Sequence, residues 1–275
     1  NYWEAYSILA YVYTWRQPDY VRAIQNEQKA ISLNHGNGLA NLHKHIAFTY
    51  ACAGMMGKAQ NHFINSFDLS GAKDSSSYYR SLGTLDQYAG NYPAAEIHLD
   101  QALDCDSNDV FLLRRVGGNY NLLRNYKKSL HYYQRWVQLK DSLEILDLGE
   151  AHRIALAYSK TGQFEKAEKY FKMQENYCLQ SIEKNRDFAQ SRRAYYDLAA
   201  VYAFQGKKEK AYQLLDEFIK NEIFPLWWVT LSKDDPLFEK IKHEECFINI
   251  LAEMERKYQA EHERVKKWLT EQEII

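Results

Sequence analysis

Apolar residues along this chain recur at spacings of three and four, the period of one helix face. Residues 151–171, AHRIALAYSKTGQFEKAEKYF, show the unit most clearly. Ile154, Ala155 and Tyr158 share one face of a first segment. Phe164, Ala167 and Phe171 share one face of a second, and Gly162 lies between them. The pattern predicts two amphipathic helices joined by a tight turn, with Ala155 and Ala167 allowing close approach of the backbones. Such a hairpin cannot bury its apolar face alone and needs neighbours of its own kind.

The chain supplies those neighbours. A small residue of the second helix falls at Ala23, Ala59, Ala95, Ser129, Ala167 and Ala211, at intervals of 36, 36, 34, 38 and 44 residues. The turn position holds Gly54, Gly90, Arg124, Gly162 and Gly206. Four residues earlier stand Tyr50, Asp86, Tyr120, Tyr158 and Tyr202, and three before those the small residues Ala47, Gly83, Gly117, Ala155 and Ala199. A knob on the second helix follows at Phe63, Leu99, Tyr133, Phe171 and Leu215. A period near 34 that lengthens by insertion describes one helix pair repeated about six times.

These positions resemble the tetratricopeptide repeat family, whose signature orders a large residue, Leu–Gly, Tyr, Gly, Ala, Phe and Ala. The fullest match is Tyr79, Leu82–Gly83, Gly90, Ala95, Leu99 and Ala102, with Asp86 departing from the tyrosine slot. The resemblance spans about residues 3–224. It implies an all-α, right-handed superhelix of about six hairpins, non-catalytic, binding a protein or peptide on a concave groove lined by first helices. In that register the fifth positions are Ser7, Lys44, Arg80, Arg114, His152 and Tyr196, and the sixth positions add Arg115 and Arg153. Twelfth positions include Gln87 and Asn121, and the aromatics near the groove are Phe48, Phe111 and Tyr196. Planar guanidinium groups beside amides and rings suit an acidic peptide. The other reading is a solvated surface whose arginines pair within the chain. Capture of chaperone C-termini is not expected, because the ninth positions hold Phe48, Thr84 and Gly118 where the family's carboxylate clamp needs asparagine.

The first hairpin turns through Arg16-Gln17-Pro18-Asp19, and 69–77 and 104–109 read as polar connectors. Glycine and proline are absent between 163 and 205, which predicts lengthened helices, one to about 184 and the next from about 187. The repeat pattern stops at Pro225, so residues 1–224 are expected to form the array and 225–275 a helical cap. There Asp235 is the expected N-cap and Pro236 the first position of a short helix, and a last helix is expected from about 245 to 272. The WxxLxxDDPxF stretch resembles the ends of bacterial repeat arrays in multidomain signalling and transcription-regulating proteins. A regulatory module of such a protein is therefore the alternative reading. Trp268 and Leu269, with Ile274 and Ile275, are expected to pack back on the array, the other use of this helix being a homodimer or interdomain contact.

Composition adds limits. Four prolines suit long helices. A net charge of −1 gives no pull toward nucleic acid or anionic lipid, so no direct nucleic-acid contact is expected. No run of about 18 apolar residues exists to span a membrane, and a cytoplasmic location is expected. Because the chain opens on Asn1 and reads as helix almost at once, its natural N-terminus is expected upstream. Cys52, Cys105, Cys178 and Cys246 stand far apart and read as reduced thiols in a helical interior. No phosphate loop, HExxH or GxSxG motif occurs, and no catalytic residue or cofactor is expected. His43 and His45 lie on different faces of a helix, so no metal site is expected either.

Overall fold

The computed structural model describes residues 2–34, 36, 38–142 and 149–272, and every regular element among them is a helix. Helix pairs form in the register the spacing predicts. They are α1 (Trp3–Trp15) with α2 (Tyr20–Leu33), α3 (Leu39–Cys52) with α4 (Met56–Leu69), and α5 (Ser75–Tyr88) with α6 (Tyr92–Cys105). Next come α7 (Val110–Leu122) with α8 (Tyr126–Ser142) and α9 (Ala151–Lys160) with α10 (Phe164–Glu183). A short α11 (Asp187–Gln190) precedes the pair α12 (Arg193–Phe204) and α13 (Lys208–Phe218). Connector aspartates start several of these helices. Asp19, Asp74 and Asp109 accept from the backbone N–H of Arg22, Ser77 and Phe111 at 3.1, 3.1 and 2.7 Å, satisfying donors that have no intrahelical partner.

Five hairpins close in the same way. The turn residue takes a left-handed conformation, with φ of 79° at Gly54, 78° at Gly90, 59° at Arg124, 80° at Gly162 and 80° at Gly206. The next N–H then reaches back to the carbonyl of the residue four before the turn: Met55 to Tyr50, Asn91 to Asp86, Asn125 to Tyr120, Gln163 to Tyr158 and Lys207 to Tyr202, at 2.8–2.9 Å. This six-to-one bond satisfies a carbonyl the helix end would leave open. The geometry ties the tyrosine slot to the glycine slot.

That slot also explains its own exception. Tyr50, Tyr120 and Tyr158 stack on the residue twelve positions later, His62, Tyr132 and Tyr170, with ring centroids 5.4–5.6 Å apart. Asp86 cannot stack; its partner twelve later is His98, and their Oδ2 and Nδ1 lie 2.7 Å apart. The departure at one position is matched at the other. The small residues are buried throughout, and Gly83 and Gly117 leave room for the knobs: a Cβ on them would meet Leu99 Cγ at 2.8 Å and Tyr133 Cδ1 at 3.0 Å.

Three expectations change. Phe164 is 68% exposed, because it opens α10 directly after the turn and the buried stripe starts one helical turn later at Ala167. The stretch from 187 is not one lengthened helix. Asn185 and Arg192 take φ of 46° and 57° and break it on either side of α11. Arg192 is held by its guanidinium, which donates to the Glu217 carbonyl at 2.8 Å. Of the thiols, Cys52 and Cys178 are buried but Cys105 and Cys246 are exposed.

Beyond the hairpins run α14 (Leu226–Asp234), a 3-10 turn at Pro236–Phe238 and α15 (Glu245–Glu271). Asp235 caps the turn, accepting from Leu237 N–H at 3.0 Å. The chain divides into two compact units. The first comprises Asn1–Cys105, Ile223–Leu231 and Met254–Ile275, the second Asp106–Glu222 and Ser232–Glu253. In the first, Val265 and Leu269 of α15 join a core with Tyr20, Ile46, Tyr50 and Phe63, and Trp227 and Trp268 pack against it. Glu261 accepts from Tyr20 N–H at 3.0 Å, and Arg264 pairs with Asp19 at 2.6 Å. Ile274 and Ile275 lie outside the described residues. In the second unit, Leu237, Phe238, Ile241 and Phe247 are buried, with Phe238 edge-on to Tyr196 at 5.3 Å. No helix among the described residues is long and apolar enough to cross a membrane.

The turn residues give a graded test. Open space surrounds Gly162, so Gly162→Ala should cost only the left-handed backbone penalty, about 1–2 kcal/mol by urea denaturation. Gly54→Ala should cost clearly more, because the new Cβ would also collide with the Tyr258 hydroxyl and His262. Equal losses would contradict this packing.

Candidate functional site

The first helices present the residues that the sequence assigns to a groove, and each unit treats them differently. In the first unit Lys44, on α3, donates to Ser77 Oγ at 2.6 Å and lies 3.7 Å from Asp74 Oδ2, with the ammonium still reaching solvent. Arg80 and Gln87, on α5, are half-buried. Phe48 packs edge-on to Phe63 at 5.0 Å, so this residue belongs to the core rather than to a ligand surface.

In the second unit Phe111 is 61% exposed and Arg114 partly so. Asn121, His152 and Tyr196, expected to face a groove, are buried. Asn121 donates to the Arg153 carbonyl at 3.0 Å and lies 2.8 Å from Ser129 Oγ, so its amide holds neighbouring helices together. Tyr196 is covered by residues 232–253 of the same unit, and its hydroxyl donates to Asp235 Oδ2 at 3.2 Å. His152 is not available as a cation: burial, and then the charge of Arg153, push its pKa well below the ordinary value.

Two carboxylates organise this surface. Glu150 lies 3.8 Å from Arg114 and 3.4 Å from Arg153, and Asp235 lies 3.4 Å from Arg153 on the other side. Burial opposes the charge of Arg153, but Asp235 and Glu150 outweigh it and raise its pKa. Sequence reading placed Asp235 only as a helix cap and passed over Glu150. The i, i+3 spacing of Glu150 and Arg153 was the signal available for the latter.

Other chemistry-bearing side chains sit in the core. Cys178, His152 and Asp197 share one buried region, where His152 Nε2 is 3.6 Å from Asp197 Oδ1. Burial raises the pKa of the thiol and of the carboxyl and lowers that of the imidazole, disfavouring the charged form of each. Among the described residues no group of three or more His, Cys, Asp or Glu side chains is arranged to hold a metal ion. His43 meets His62, a histidine isolated in sequence, across the second hairpin with Nδ1 atoms 2.9 Å apart.

That pair sets a pH dependence. Burial, then the neighbouring His43 and Lys58, lower the pKa of His62 to about 4. The unfolded chain, with its histidine near 6.5, takes up the proton first as pH falls. The contribution of His62 is therefore complete above about pH 6.5 and is lost between there and 4. His62→Phe should flatten the decline of the urea midpoint between pH 6.5 and 4.5; an unchanged slope would contradict this assignment.

No protein-family profile matches the chain, and no curated protein matches its sequence. Among solved structures it is similar to "Crystal structure of MamA protein" at 20% identity and a TM-score of 0.43, covering 68% of this chain and 94% of that one. It is also similar to "Crystal structure of YrrB: a TPR protein with an unusual peptide-binding site" at 20% identity and 0.42, covering 72% and 93%. With TM-scores below 0.5 these likenesses do not decide the fold; the hairpins do. Their common period, small-residue crossings and left-handed closing turn make the described residues an all-α series of repeated helix hairpins, the architecture that the resemblance to tetratricopeptide repeats implies.

Proposed function

We propose that the chain is a non-catalytic scaffold that holds a protein or peptide partner on the first helices of its hairpins, the partner segment carrying acidic groups. In this reading residues 1–224 form the binding array and 225–275 its helical cap. The observation that carries it is Lys44. Its ammonium is anchored by Ser77 yet only loosely approached by Asp74, a carboxylate 56% exposed that a partner's carboxylate can replace. The Arg114–Glu150 contact at 3.8 Å offers the same chemistry in the second unit. Fluorescence anisotropy with labelled acidic, neutral and lysine-rich peptides of equal length tests it. The acidic peptide should bind tightest, and Lys44→Glu with Arg80→Glu should weaken it about tenfold, roughly 1.4 kcal/mol. Equal binding of all three peptides, or indifference to the two substitutions, would remove the acidic preference.

A second reading, a module of a larger protein, is favoured by α1. The position of Leu9 is aliphatic in every hairpin: Ile46, Leu82, Val116, Ile154 and Leu198 follow it. Ile46, Ile154 and Leu198 are buried beneath the preceding α2, α8 and α10, whereas Leu9 is 44% exposed, beside exposed Ile8 and Tyr11. Apolar side chains left open together on one helix face fit a further amphipathic helix. Leu9→Glu should leave the melting temperature of this chain unchanged, and should lower that of any longer form in which a further helix covers this face. Sedimentation showing a dimer that Leu9→Glu dissociates would assign the face to a second copy instead.

A further inference from the structure

The second unit carries a cavity of about 320 Å³ between the second helices α8 and α10, floored by α9. That volume lies within the range of small-ligand pockets. Its walls are the rings of Tyr133, Tyr158 and Tyr170, the aliphatic side chains of Val137 and Ile154, and the carboxamides of Gln134 and Gln138. None of these residues carries a formal charge, in a chain where about a quarter of all residues do. Tyr158 and Tyr170 are already ordered against each other, stacked at 5.5 Å and 24°. Gln134 Nε2 reaches the Tyr158 hydroxyl at 3.4 Å, a long contact that a better acceptor can displace. Burial, then the neighbouring Tyr158 and Asp141, raise the pKa of the Tyr170 phenol, so it remains a neutral donor in the physiological range.

We propose that this cavity is a binding site for an uncharged aromatic ring bearing a polar edge group. Phenol rings at the walls offer offset-stacked and edge-to-face contacts, which favour a planar ring over an aliphatic group of equal size. Two carboxamides supply donors and acceptors for the edge group. A charged ligand would lose hydration here against seven uncharged side chains, the neighbouring charges being Lys166 over the Tyr158 ring at 5.4 Å and Asp141 near Tyr170. None of its lining residues is one that the acidic-peptide reading uses, so it stands or falls independently of that reading.

Isothermal titration of the full chain decides it. The probes are p-cresol, N-acetyl-tyrosinamide, N-acetyl-leucinamide and zwitterionic tyrosine. Both neutral phenols should bind saturably, at least about tenfold tighter than the leucine amide and tighter than zwitterionic tyrosine. Preference for the capped amide over p-cresol would mark the natural source as an aromatic side chain of a polypeptide, and the reverse preference a free aromatic molecule. Val137→Trp should fill the space and lower affinity at least about tenfold while the circular dichroism of the helices holds. Tyr170→Ala, which opens the wall of a half-buried position, should weaken binding without filling anything. The absence of saturable binding by either phenol would overturn the proposal, as would affinity unchanged by both substitutions.

Discussion

Two helices can cross closely only where a side chain is nearly missing, and this chain meets that constraint once in every helix of every pair. Ala23, Ala59, Ala95, Ser129, Ala167 and Ala211 on the second helices face Ala10, Ala47, Gly83, Gly117, Ala155 and Ala199 on the first, all of them buried. Once the crossing is fixed, the knob has a place to go: Leu99 over Gly83 and Tyr133 over Gly117. The left-handed closing residue then sets where the second helix begins. Size, not polarity, is what these positions share, which is why serine serves as well as alanine at 129. Its hydroxyl lies 2.8 Å from the Gly117 carbonyl, so the one polar member is satisfied inside the crossing.

This constraint was legible because it repeats. A single Ala or Gly says little, but six in register name the crossing, the turn and the knob together. Arg124 shows how strong that register is. It occupies the glycine slot and adopts the same left-handed conformation with φ of 59°, its side chain donating to the Asp234 carbonyl at 3.0 Å. What does not repeat was not legible. The break at Arg192 has no glycine or proline to announce it and depends on Glu217, 25 residues away.

The surface residues divide along the same line. A register position tells which side of a helix a residue occupies, but not what folds over that side. Lys44 and Arg114 retain contact with solvent. Tyr196 occupies an equivalent position and is buried, because Asp235, Leu237 and Phe238 of the closing segment lie on it. Within the second unit Arg153 sits between Glu150 and Asp235, so this first-helix cation is paired inside the chain. Removing one of those carboxylates would leave a buried guanidinium with half its counter-charge, a costly state in a low-dielectric setting.

The Asp86–His98 couple gives the third hairpin a polar contact of its own. The corresponding contacts at Tyr120–Tyr132 and Tyr158–Tyr170 are ring faces, at interplanar angles of 9° and 24°. A 2.7 Å contact between a carboxylate oxygen and a ring nitrogen is directional and short-ranged. It ties α5 to α6 through a bond that depends on the protonation of two side chains, a dependence that the two tyrosine pairs lack.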